Sequence, residues 1–150
     1  MVPEAPLSIV APAASILGLT ALAALVGGMI FFVAIMAPTI FTVLDGEQAA
    51  RLIRRVFPRY YLYLLICAGL SAIGFLFVDR PSAVILAVIA AASVWLRQGL
   101  MPAINRRRDA QLAGDLSAKR QFDQLHRLSV MVNMAQLLVA LAVTIRIALR

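Results

Sequence analysis

Residues 60–96 read YYLYLLICAGLSAIGFLFVDRPSAVILAVIAAASVWL, and only Asp79 and Arg80 in that stretch carry charge. A helix crossing a bilayer needs about 20 mostly apolar residues. Two apolar runs separated by a two-residue break leave room only for a tight antiparallel pair of membrane helices. The flanks continue the pattern, with uncharged runs at Ala5–Leu44 and Leu128–Ile145. The first run exceeds one straight span, so Pro12 is placed near its start and Pro38 at its end or at a kink. The third, Pro81–Leu96, reaches Met101 if Arg97 snorkels toward the headgroups beside an interfacial Trp95. The expected spans are 13–36, 59–78, 81–101 and 122–147. This predicts an all-α polytopic membrane protein, a four-transmembrane-helix bundle in a single domain over residues 1–150.

Composition argues the same way. Hydrophobic residues make up 63% of the chain, charged residues 14%, and mean hydropathy is +0.93. Soluble domains sit nearer 45–50% apolar and about 25% charged. Cys67 is the only cysteine and His126 the only histidine, which excludes an internal disulfide and a multi-histidine metal centre within one chain. The start, Met1-Val2-Pro3-Glu4, lacks the basic region of a cleaved signal, so the uncharged run that follows is expected to be a retained membrane helix.

Charge predicts direction. Of fourteen cations, eleven fall in two places: Arg51, Arg54, Arg55 and Arg59 after span one, and Arg97, Arg106, Arg107, Arg108, Lys119, Arg120 and Arg127 around the loop between spans three and four. Arg80, Arg146 and Arg150 fall on the opposite side. The positive-inside rule then puts both basic loops in the cytoplasm and both termini outside. The compact Arg- and Ala-rich chain suggests a bacterial inner membrane. Asp45 is an expected N-cap for a short amphipathic cytoplasmic helix between spans one and two. Its polar arc is Glu47, Gln48, Arg51, Arg54 and Arg55; its apolar arc is Ala49, Ala50, Leu52, Ile53, Val56 and Phe57. This segment either lies at the membrane surface or extends span two, with Pro58 interrupting it. Arg51, Arg54, Arg55, Arg97, Arg106, Arg107 and Arg108 are the candidates for anionic lipid headgroups. Gly114-Asp115 is expected to stop one helix and cap the next. No nucleic-acid partner is expected, because no aromatic residues interleave the arginine run.

Small residues at four-residue spacing, Thr20/Ala24/Gly28 and Ala83/Ala87/Ala91, predict helix contacts. Span four carries a polar stripe, His126, Ser129, Asn133 and Gln136, which must face the bundle interior. One reading is structural, with interhelical hydrogen bonds. The other makes His126 a haem b or copper ligand, with Asn133 and Gln136 behind it and Met36, Met101, Met131 or Met134 as soft donors. Ile35-Met36-Ala37-Pro38-Thr39-Ile40 and Leu100-Met101-Pro102-Ala103-Ile104 also hint at a parallel internal repeat.

Three motifs occur in order: Ala37-Pro38-Thr39-Ile40-Phe41; Phe57-Pro58-Arg59-Tyr60-Tyr61; and Phe122-Asp123-Gln124-Leu125-His126-Arg127-Leu128-Ser129. Together they resemble the transmembrane-protein-205-like family, a four-helix integral membrane domain of unknown function (DUF4149). That family looks remotely akin to copper-resistance-D-like membrane proteins, some of them haem-binding. The resemblance implies a possible haem or copper role for His126, though a second His is missing here. No catalytic motif is found, so the expected role is non-enzymatic: a self-associating or partner-binding membrane component. The alternatives are a haem- or copper-binding protein, or a subunit of a small-molecule or lipid transporter acting as a homo-oligomer.

Overall fold

The computed structural model describes the backbone of residues 5–149 and the side-chain surroundings of residues 12–149. Met1–Glu4 and Arg150, on which the expectations about the N-terminus and one outer cation fall, lie outside the described residues. Every regular element is helical. They are α1 (Ala5–Phe31), a π-helical turn (Phe32–Met36), α2 (Ala37–Val43), α3 (Gly46–Phe75), α4 (Arg80–Trp95), a second π turn (Leu96–Leu100), α5 (Met101–Leu112) and α6 (Leu116–Ala148). These join into four rods long and apolar enough to cross a membrane, at Pro12–Val43, Gly46–Phe75, Arg80–Leu112 and Leu116–Ala148.

The rods outrun the expected spans because the chain supplies helix signals beyond the apolar runs. Pro12 does not start the first helix; it sits inside α1. The Asp45 side chain accepts from Glu47 and Gln48 N–H at 3.0 and 2.8 Å and caps α3. The amphipathic segment is therefore present, but it is the first part of α3 and runs straight through Pro58 into span two. Of its two readings, extension of the span is the correct one. At the other basic loop Gly114 takes φ +101°, a left-handed turn costly for any residue with a Cβ. Asp115 then caps α6, accepting from Ser117 and Ala118 N–H.

Both π turns end two residues before a proline: Met36 before Pro38, Leu100 before Pro102. Proline has no N–H to donate, and the helix meets it by widening one turn. Ala37 N–H reaches back to Phe32 O, and Met101 N–H to Leu96 O, each across five residues. In each rod the second residue after the proline is a buried isoleucine, Ile40 or Ile104. The short sequence similarity between the two helix pairs thus coincides with the same backbone device in both.

Rod two packs on rods one and three, and α6 completes the bundle against α1, α4 and α5. The core is Leu22, Leu25, Met29, Tyr61, Leu64, Phe75, Leu86, Leu96 and their neighbours. The expected stripes hold in part: Ala83 is buried, and Gly28 abuts the Tyr63 ring, whose Oη donates to Ala24 O at 2.5 Å. Ala87 and Ala91 are exposed, while Ser82, Ala83, Leu86, Ile89, Ala90 and Ser93 face inward. On α1 the inward residues are Ala21, Leu22, Leu25 and Met29, with Thr20 and Ala24 exposed. Backbone meets backbone where Gly18 faces Gly74: a Cβ on Gly74 would lie 2.5 Å from Gly18 Cα. Beside it Ser71 Oγ donates to Gly18 O at 2.9 Å.

Candidate functional site

The polar stripe of α6 divides. Gln136 is buried and turns to α4, where its Nε2 donates to Ile89 O at 3.1 Å and Ser93 Oγ at 3.2 Å. It does not line the cavity described next. Asn133 turns elsewhere. Its Nδ2 donates to Tyr61 Oη at 2.9 Å and to Ser129 O at 2.8 Å. A backbone oxygen only accepts, so the amide nitrogen must face it and Oδ1 must face away. That Oδ1 is buried and has no protein donor, as does Oε1 of Gln136. Buried polar atoms are ordinarily hydrogen-bonded, since leaving one unmet costs about 1–3 kcal/mol.

Asn133 lines a cavity of about 520 Å³ at the basic end of the bundle. This is within the roughly 300–1,000 Å³ of small-molecule sites. All four rods contribute to it: Phe32, Val33 and Ile40 from the first, Ala50, Phe57 and Tyr60 from the second, Met101 and Ile104 from the third, Val130 and Met134 from the fourth. The first π turn borders it through Phe32 and Val33, and the second ends one residue before the lining Met101 of α5. Its walls are apolar. The polar lining is Arg54, Asn105, Arg108, His126, Ser129 and Asn133, and no Asp or Glu is part of it.

His126 is exposed and stacks on Phe122, ring centroids 5.9 Å apart and planes 7° apart. The Arg108 guanidinium lies over the same Phe122 ring, 5.4 Å from its centroid, and donates to Gln111 Oε1 at 3.0 Å. Arg54 pairs with Asp109 across the gap between α3 and α5. This hydrogen bond holds the Asp109 carboxyl below the usual carboxylate range. Arg54 and Arg108, expected only as headgroup contacts, thus stand at the rim of the cavity with the one histidine. Phe122, one turn before His126, opens the third sequence motif but was not expected at the site, because an aromatic on an amphipathic turn carries no signal of its own.

The other candidates are placed as follows. Arg97 is half-buried and its Nε donates to Pro58 O at 3.1 Å, so it works inside the bundle. Arg51 pairs with Glu47 on the surface of α3, and Arg55, Arg106 and Arg107 are exposed. Met101 and Met134 line the cavity with His126, while Met36 and Met131 do not. Among the described residues no group of three or more His, Cys, Asp and Glu is gathered for a metal.

No curated protein and no solved structure matches the chain at a significant level. A family profile does match, from Thr20 in α1 to Ala113 after α5, so that α6 with His126 and Asn133 lies beyond the matched residues. Because that match spans more than half of a multi-helix chain, the protein belongs to the family of the domain of unknown function DUF4149.

Proposed function

We propose that this small membrane protein is a non-enzymatic binding component that takes an apolar or amphiphilic small molecule into the cavity at its basic end. The observation that carries the reading is the cavity itself, about 520 Å³ walled by apolar side chains from all four rods, with Arg54, Asn105, Arg108, His126, Ser129 and Asn133 as its polar lining. The eleven-to-three distribution of cations supports a basic end in the cytoplasm of a bacterial inner membrane, with both termini outside. Handing such a molecule across or along the membrane fits a transporter subunit working as a homo-oligomer or beside a partner. The test is native mass spectrometry of detergent-purified protein and of Ala50→Phe, which fills the cavity from α3. Wild type should retain co-purifying small molecules that the folded variant lacks. Equal occupancy of the two would overturn the reading.

A second reading keeps the haem or copper role that the resemblance to the transmembrane-protein-205-like and copper-resistance-D-like proteins suggests. His126, Met101 and Met134 lining one cavity is what favours it. An absorption spectrum with metal analysis decides: a Soret band or near-stoichiometric copper, lost in His126→Ala, supports ligation. A colourless, metal-free sample expressed with haem and copper supplied would rule against it.

A further inference from the structure

We propose that the cavity selects a single-chain anionic amphiphile, a carboxylate or phosphate monoester on one acyl chain, which enters from the bilayer between α2 and α6. The proposal rests on the binding reading above and specifies its ligand.

Three observations carry it. The first is the side opening. α1 packs on α6, but past the π turn α2 packs on α3, and among the described residues no Cα of α2 lies within 8 Å of one in α6. The cavity-lining residues that border this gap are exposed: Val33 45%, Phe41 63%, Val130 50% and Met134 42%. In a bilayer such exposure at membrane depth faces acyl chains, so the cavity communicates with lipid sideways. The second is the charge at its end. Arg54, Arg108, Asn105 and His126 all offer N–H donors, no Asp or Glu is part of the lining, and Asp109 is paired with Arg54 outside it. A guanidinium forks onto carboxylate or phosphate oxygens in a way a neutral or cationic head cannot match. The third is size. About 520 Å³ gives room for one acyl chain and lies within the roughly 300–1,000 Å³ of small-molecule sites.

The head then sits on Arg54 and Arg108, and the chain runs along Phe32, Val33, Phe57 and Met134. The test uses the full chain in a neutral maltoside detergent, with binding read by native mass spectrometry and by displacement of a fluorescent fatty acid. The probes are dodecanoate, dodecyl phosphate, dodecanol and dodecyltrimethylammonium. Both anionic probes should bind at least tenfold more tightly than the other two, and their order identifies carboxylate or phosphate as the preferred head. Arg108→Gln should weaken anionic binding about tenfold and leave dodecanol unchanged, whereas Arg127→Gln, exposed and off the cavity, should change neither. Equal binding of all four probes, all abolished by Ala50→Phe, would overturn the choice of ligand while leaving the cavity as the binding site. Binding of no probe, or binding indifferent to Ala50→Phe, would overturn both.

Discussion

Single residues set how near the helices come. Gly74 meets Gly18 backbone to backbone, and an added Cβ would also stand 2.7 Å from Ala14 O. Backbone atoms cannot swing aside as a side chain can, so Gly74→Ala must push α1 from α3 and loosen the Ser71 bond to Gly18 O. Overpacking of this kind costs about 1–3 kcal/mol. Gly69, on the same helix, has open space where a Cβ would go. Gly69→Ala should therefore be neutral or mildly stabilising, since Ala favours a helix by up to about 1 kcal/mol over Gly. Thermal melts of the two variants in detergent check the contrast, and equal shifts would refute it. The sequence displayed eight glycines without ranking them. The small-residue spacing marked Ala83 and Gly28, which do meet neighbouring helices, but also Ala87 and Ala91, which face outward, because an apolar helix in lipid shows no amphipathic face by which to judge its inward side.

At the scale of elements, the two π turns are the informative feature. Pro38 and Pro102 were visible as breaks, but a proline predicts a kink or an end equally well, and here neither ends its rod. The rods continue, each with one widened turn beside the cavity. Replacing Pro38 by Ala restores an N–H and removes the reason for the first π turn. α2 should then follow the line of α1 toward α6 and narrow the side opening. Spin labels at Phe41 and Val130 measure this directly: the expected result is a shorter, sharper distance in Pro38→Ala, and an unchanged distribution would show that packing on α3 alone holds α2. Helix starts were more legible than breaks. Asp45 and Asp115 precede helices as short acceptors should, and both cap through the bonds that residue type makes possible.

The whole molecule is tied near both ends by ion pairs of different character. Away from the basic loops, Asp79 is buried in the turn between rods two and three, where it accepts from Ser82 Oγ and from Arg146 Nε at 3.2 Å. At the basic end Arg54 joins Asp109 in the open. The Asp109 carboxyl is depressed when folded, so its contribution is complete above the ordinary aspartate value and is lost as pH falls through the lower folded value. Acidification from about pH 4 downward should loosen the α3–α5 link. Melting temperatures between pH 5 and pH 3 should accordingly fall less steeply for Asp109→Asn than for wild type, and parallel slopes would show that the pair is idle.

Sequence alone determined that the chain is a four-helix membrane protein, because the cost of exposing apolar surface and backbone polar groups leaves uncharged runs of this length almost no alternative. It also located the caps, whose chemistry is local, and the polar stripe on α6, whose spacing follows helix geometry. It could not say that Gln136 would turn to α4 while Asn133 turned to Tyr61 and the cavity, nor that Arg54, Arg108 and His126 would share one rim. Those relations depend on the rotation of each rod about its own axis and on the extra residue in each π turn. Both are set by how four nearly all-apolar helices fit together, through close glycine contacts and a few interhelical hydrogen bonds between residues far apart in the chain.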